Sequence, residues 1–274
     1  MSTRPVYLFD RRREEKRLIA QSRLFDPLTE QLFRTAGVAP GMRVLDLGCG
    51  VGDTTMLASR MVGRHGSVLG IDISPEPLEV ARRRARAARL DNVRFVEAEA
   101  GSPVLDGEQF DAVVGRLVLM YIADPAAVVW AAAGMVRPGG ILCFHEVDAT
   151  FDPCFPPLPL WTRARRRFLA TAQAAGVDTR VGLRLPSILS AAGVQQPECT
   201  LQAVVRGGPL APVFAWADVY ASIAPLTERF GIASIEEIEP TSLADRLLKE
   251  VTSNNGVVIS PLLIGAWGRL ESQS

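Results

Sequence analysis

Net charge is missing from this chain: 30 basic residues balance 30 acidic ones. No whole-molecule field draws it toward nucleic acid, which is not expected as a partner. Histidine is scarce, with only His65 and His145 present. The four cysteines, Cys49, Cys143, Cys154 and Cys199, form no C-x-x-C pair. Zinc-site spacing is therefore lacking, and no metal ligands are expected. Scattered thiols of this kind suit a reducing compartment, and a cytoplasmic location is expected. No run of about 20 uncharged apolar residues occurs, so no membrane-spanning helix is expected. The opening MSTRPVYLFDRRREEKR is charged with no apolar run behind it, and does not read as a secretory leader.

Apolar residues, by contrast, make up 48% of the 274 residues, ample for a buried core. The length exceeds a minimal domain and falls short of two full ones. One domain over residues 1–274 is predicted, in four stretches. Residues 1–39 form an N-terminal helical arm, helical from Asp10 to Ala36, with Pro27 dividing it into two helices and Gly37 ending the second. Residues 40–148 alternate short apolar strands with helices. Strands are predicted over Val44–Leu47, Ser67–Asp72, Val93–Glu97, Phe110–Gly115 and Ile141–Val147. Helices are predicted over Val51–Met61, Pro75–Arg89 (with Ser74 as the N-cap) and Pro125–Val136. Strands this apolar, separated by helices, indicate a parallel sheet covered on both faces. Residues 149–197 are a lid insertion, with a proline-dense FDPCFPPLP followed by helices over Leu160–Ala175 and Leu185–Ala192. Residues 198–274 complete the sheet, with strand patterns at Thr200–Arg206 and Val257–Leu270 around a helical Ala211–Glu250.

The most informative segment is VLDLGCGVGDTT, Val44 to Thr55. A strand ends at Leu47, and Gly48, Gly50 and Gly52 make a tight loop before a helix whose first N–H groups are unpaired. A dinucleotide fingerprint, G-x-G-x-x-G, would place a third glycine where Asp53 stands. A carboxylate there opposes a pyrophosphate, and Asp46 adds further negative charge. Both acids suit a cationic ligand without phosphate.

VLDLGCGVGD resembles the first motif of class I S-adenosylmethionine-dependent methyltransferases, and the later landmarks agree in order and spacing. GIDIS, Gly70 to Ser74, resembles the second motif, which implies that Asp72 holds the ribose hydroxyls, with Ile73 beside it. Val96 to Ile122 resembles the adenine-proximal loop and the fourth strand. By this likeness Glu99 stands where the family often has an adenine-contacting Asp, with Ala98 and Ala100 contributing backbone. VRPGGILCFHE, Val136 to Glu146, resembles the turn and fifth strand. The resemblance covers residues 40–147 well and the remainder loosely. It implies a Rossmann-like, doubly wound α/β fold of seven strands in the order 3-2-1-4-5-7-6, the last antiparallel, with Val257–Leu270 as the seventh. The cofactor, S-adenosyl-L-methionine, would lie at the carboxyl ends of the strands, at the switch point. Within the family the chain looks most like small-molecule enzymes of the ubiquinone/menaquinone type and their secondary-metabolism relatives. Gly115-Arg116-Leu117 replaces the N/D-P-P-[YF] run of enzymes that methylate DNA adenine or protein glutamine.

The candidate cofactor contacts are therefore Asp46, Gly48, Cys49, Gly50, Gly52, Asp72, Ile73, Ala98, Glu99, Ala100, Arg116, Leu117 and Tyr7. Arg116 interrupts an apolar stretch and needs a partner, which a cofactor carboxylate, Asp46 or an acidic substrate could supply. Tyr7 and the Arg17/Gln21 face of the arm either close over the cofactor or form a solvated helix face. The arginines at 82–84, 86 and 89 read as a charged outer helix face. His145 and Glu146, near the end of the fifth strand, are the candidates for a catalytic base, against a buried structural role. Strand alternation prevents both from facing the same way. Phe151, Phe155, Leu158, Trp161 and Phe168 suggest an apolar or aromatic small-molecule acceptor, or simply lid core. A non-methylating cofactor-binding protein (a cyclase or binding module) and an NAD-dependent oxidoreductase are the rival readings, and a homodimer is left open.

Overall fold

The computed structural model describes residues 7–8, 14–99, 105, 107–151, 154–213 and 216–271. Helix α1 (Glu14–Ala36) leads into an alternation of β1 (Arg43–Leu47), α2 (Asp53–Val62), β2 (Ser67–Asp72), α3 (Pro75–Ala87), β3 (Val93–Glu97), β4 (Phe110–Arg116), α4 (Pro125–Ala133) and β5 (Val136–Asp148). The sequel is β6 (Cys154–Phe155), α5 (Pro159–Ala174), α6 (Leu185–Ala191), β7 (Glu198–Gln202), β8 (Val205–Gly207), α7 (Trp216–Ser222), α8 (Ala224–Arg229), α9 (Ile235–Ile238), α10 (Leu243–Ser253), β9 (Val257–Ile259) and β10 (Leu262–Arg269).

The large sheet has the order β3-β2-β1-β4-β5-β10-β7. β1 pairs in parallel with β2 and β4, and β10 runs antiparallel to β5 and β7. This is the expected 3-2-1-4-5-7-6 arrangement. Alternation along the strands sends side chains to two cores. Val44, Val68, Ala112, Val114, Ile141 and Cys143 pack with Leu32, Phe33 and Leu57 of α1 and α2. Leu45, Leu69, Val113, Leu142 and Phe144 pack toward α4, α5 and α6. No helix among the described residues is long and apolar enough to cross a membrane.

Two sequence expectations require correction. α1 is continuous through Pro27, although Asp10–Arg13 of the predicted helix lie outside the described residues. Pro27 and Arg23, whose carbonyl it leaves without a helical donor, are both exposed, so water can replace the lost bond. Phe25 before Pro27, and Thr29, Leu32 and Phe33 after it, are buried and keep both halves on the same body. The strand predicted over Val257–Leu270 is broken at Ser260-Pro261, where proline offers no ladder donor. Thr200–Arg206 is interrupted at Ala203-Val204, without a proline. β9 and β8 leave the large sheet and join β6 in a three-stranded sheet of order β6-β9-β8. The two crossings are tied together: Ser260 N–H donates to Val204 O (2.9 Å), and Val204 N–H donates to Ser260 Oγ (3.0 Å).

Ile141 is fully buried in the middle of the long fifth strand. Ile141→Ala is expected to lower the unfolding free energy by about 2–5 kcal/mol, and Ile141→Val by about 0.5–1.5 kcal/mol. Urea denaturation checks both, and unchanged midpoints would contradict this account of the core.

Candidate active site

The glycine loop between β1 and α2 lies at the carboxyl edge of the sheet. Gly48 has φ +63°, and a Cβ there would overlap the Val118 side chain. Gly50 has φ +51° with open space where a Cβ would point, so its backbone is bare toward a ligand. Asp72, ending β2, braces this loop: Gly50 N–H donates to its Oδ2 (3.0 Å) and Ser74 N–H to its Oδ1 (2.9 Å). Ser74 occupies the N-cap position of α3 but makes no side-chain cap.

Loop, arm and lid enclose a cavity of about 840 Å³. Of the predicted contacts, Tyr7, Gly48, Cys49, Gly50, Asp72, Ile73, Ala98, Glu99, Arg116 and Leu117 line it. Ala98 is fixed by its N–H donating to Asp72 O (3.0 Å). Burial beside Asp46 and Asp72 pushes the Cys49 thiol well up from its ordinary value. Ala100 lies outside the described residues.

Asp46 and Gly52 do not reach the cavity. Asp46 is 1% exposed and accepts a hydrogen bond from Thr55 Oγ1 (2.6 Å), which ties β1 to α2. Burial pushes its carboxyl up to about 7, against the lowering effect of the Thr55 bond. Gly52 instead lets α3 and β3 pack closely: a Cβ there would meet Ala81 at 3.0 Å and Phe95 at 3.2 Å.

His145 and Glu146 are corrected as base candidates, because both are 0% exposed and neither lines the cavity. His145 Nδ1 lies 3.0 Å from Thr29 Oγ1 of α1. Burial, reinforced by the Arg116 charge, pushes the imidazole down to about 3, so the ring is neutral. Glu146 Oε1 accepts from the Val118 and Leu119 amides, each at 2.8 Å. Burial pushes this carboxyl up to about 7.

Arg116 has found a partner on the arm. Its guanidinium donates to Asp26 Oδ1 (2.8 Å) and Thr29 Oγ1 (3.1 Å) while still facing the cavity. Burial raises the Asp26 pKa above its ordinary value, with Arg116 opposing. Arg17 and Gln21 also face the cavity and are joined by a 2.6 Å hydrogen bond. The arginine run on α3 is not uniformly an outer face. Arg83 is exposed and pairs with Glu15, whereas Arg84 turns inward to Asp53 (2.6 Å). Arg84 offsets the charge of Asp53, so repulsion of a pyrophosphate at that residue is weaker than the sequence suggested. Acidic side chains at the cavity wall also include Asp72, Glu76, Glu99 and Asp124.

Sequence reasoning missed several apolar residues of the cavity lining. Met120 and Tyr121, from the 3-10 turn Leu119–Tyr121 after β4, line the cavity with Ile122. Leu24 and Phe25 of α1, Val147 of β5 with Ala149 just beyond it, and Val219 of α7 join them. Tyr121 lies against Tyr7, with ring centroids 5.1 Å apart. The apolar run LVLMYI was visible, but only the turn shows which of its members face inward. Of the lid apolar residues singled out, only Phe168 reaches the cavity. Leu158 and Trp161 are lid core, and Phe151 and Phe155 are exposed.

An open sheet of this order, with a glycine loop on its first strand and a carboxylate ending its second, defines the class I S-adenosylmethionine-dependent methyltransferase fold. The chain belongs to that family: the model described as "Methyltransferase domain" matches residues 39–180. The ubiquinone biosynthesis O-methyltransferase of Thiobacillus denitrificans is 38% identical over 169 residues, covering 58% of this chain and 71% of that protein. Aklanonic acid methyltransferase DauC of Streptomyces sp. is 32% identical over 135 residues, 48% of this chain and 61% of that one. Demethylmenaquinone methyltransferase of Staphylococcus aureus is 31% identical over 126 residues, 46% and 52% respectively. The matched stretch thus spans only about half to six-tenths of the last two relatives. Among solved structures, the YcgJ protein of Bacillus subtilis aligns with TM-score 0.58 at 17% identity, over 88% of this chain and 97% of that one. The [4+2]-cyclase SpnF aligns with TM-score 0.52 at 21% identity, over 90% and 80%. Both likenesses concern the fold. S-adenosylmethionine is the family's cofactor, and the bare Gly50 backbone and the Asp72 carboxylate fit it.

The Glu146 carboxyl ordinarily titrates near 4.5 and here near 7. Between those values the folded chain holds a proton that the unfolded chain has lost. The resulting stability is complete below about 4.5 and is lost as pH rises through about 7. Wild type is expected to lose more stability between pH 5 and pH 8 than Glu146→Gln, as read from urea midpoints. Parallel curves would contradict it.

Proposed function

We propose that this chain transfers the methyl group of S-adenosylmethionine to a small apolar or aromatic acceptor held in the same cavity. The observation that carries this reading is the cavity's mixed lining. The glycine loop, Asp72, Ile73, Ala98 and Glu99 share it with apolar Phe25, Met120, Val147, Phe168 and Val219. Its volume lies in the upper part of the roughly 300–1,000 Å³ range of small-molecule sites, which suits two ligands side by side.

Asp72 would hold the ribose hydroxyls, Ile73, Ala98 and Glu99 the adenine, and the Gly48–Gly50 backbone with Arg116 the amino-acid end. When bound, the cofactor supplies a methyl group on a sulfonium. The chain's own part is placement and the exclusion of water: the walls align the acceptor's nucleophile with the methyl–sulfur bond, which supplies much of the rate. Neither His145 nor Glu146 reaches an acceptor to take its proton. This suits nucleophiles that ionise readily in water or attack without losing a proton, such as acidic phenols and enols. That neither of these two residues reaches the cavity is also compatible with a second reading, in which the cofactor is bound without losing its methyl group.

Isothermal titration with S-adenosylmethionine, S-adenosylhomocysteine and NAD tests the cofactor. Micromolar binding of the first two without NAD is expected, and binding of NAD alone would overturn the reading. Asp72→Asn is expected to weaken S-adenosylhomocysteine by about tenfold, equivalent to roughly 1.4 kcal/mol. Methyl-labelled cofactor incubated with a panel of polyhydroxylated aromatics separates the two readings: label in a product supports transfer, and cofactor bound but never demethylated supports the second.

A further inference from the structure

Glu146 is buried where no ligand reaches it, yet it sits at the junction of the structures that form the cavity. A carboxylate out of water persists only where donors meet it. Here both donors are backbone amides of one turn, Val118 N–H and Leu119 N–H, directed to the same oxygen, Oε1. Oε2 has no partner among the described residues.

That turn is strained at its start. Leu117 has φ +54°, a left-handed conformation unfavourable for a side chain with a Cβ, and such residues persist only where their surroundings over-determine them. Leu117 N–H donates to His145 O (3.0 Å), so successive residues of β5 hold successive residues of the turn. From the turn, contacts lead to three parts of the cavity. The Val118 side chain lies so close over Gly48 that no Cβ fits there. Tyr121 meets Tyr7 of the arm. Met120 O accepts from Asp178 N–H (3.0 Å), beyond α5 in the lid.

We propose that Glu146 is a positioning residue: by holding the Val118 and Leu119 amides it sets the turn after β4, and through Val118 it sets the glycine loop for cofactor binding. This rests on the cofactor reading of the site given above. The property required is reach, because one oxygen at the end of a four-atom side chain must serve two amides. Charge is secondary, since the side-chain oxygen of Gln can accept the same two bonds.

The test compares Glu146→Asp, which keeps the charge and withdraws the oxygen, with Glu146→Gln, which keeps the reach. Ile141→Val, five residues before Glu146 in β5 and away from the cavity lining, is the control for lost stability alone. Glu146→Asp is expected to bind S-adenosylhomocysteine about tenfold or more weakly, as loss of two hydrogen bonds that hold the turn predicts. Glu146→Gln is expected to stay within about threefold of wild type, and Ile141→Val to lose stability without losing affinity. Hydrogen exchange without ligand is expected to show fast amides at 118 and 119 in Glu146→Asp only. Equal affinity and equal exchange in Glu146→Asp and wild type would overturn the proposal. Wild type that fails to bind S-adenosylhomocysteine would count against the cofactor reading, and the exchange comparison would still decide the role of Glu146. Should Glu146→Asp fail to fold, Val118→Ala takes its place: weakened binding by the folded variant supports the proposal, and unchanged binding overturns it.

Discussion

Where a parallel strand ends and the chain turns away, backbone amides lose their ladder partners and need other acceptors. At the carboxyl edge of this sheet carboxylates meet that need. Asp72 takes the amides of Gly50 and Ser74, and Glu146 takes those of Val118 and Leu119. The loops after β1 and β4 face each other across the switch point, and both carry cavity-lining residues. The shape of the site thus depends on acids whose first task is to satisfy backbone.

A second polar group docks the arm. Thr29 of α1 meets both His145 and Arg116, and Arg116 is paired with Asp26. Buried ion pairs of this kind add little net stability, because desolvation offsets their attraction, but they fix orientation. The fixed direction here brings Phe25, Gln21 and Arg17 toward the cavity. Apolar contact of Leu32 and Phe33 with the sheet supplies the cohesion.

The parts of the fold governed by local pattern were readable in the sequence. β2 and β3 run as predicted from Ser67 to Asp72 and from Val93 to Glu97, and the glycine loop sits between strand and helix as its spacing implied. The unreadable parts depend on residues far apart in the chain. Asp46 and Asp72 both stand near strand ends, but Thr55 takes one inward while Gly50 and Ser74 hold the other at the cavity. For His145 and Glu146 the sequence left a catalytic base and a buried structural role both open, because nothing local reveals Thr29 or the Val118–Leu119 amides as their partners. Pro27 reads as a helix break until its exposure is known. Val257–Leu270 reads as one strand because both sides of Pro261 are apolar, and nothing local shows that the chain changes sheets there.

That change of sheets has a mechanical consequence. The small sheet joins the large one through two strand crossings, β7 into β8 and β9 into β10, cross-linked by the Val204–Ser260 bonds. A plate hinged on one strand can swing, but a plate held by two cross-linked strands transmits torque. The small sheet and the β5–β10 pair of the large sheet therefore behave as one stiff bracket. A load on the lid side is carried into the sheet that supports the site and is not absorbed at a hinge.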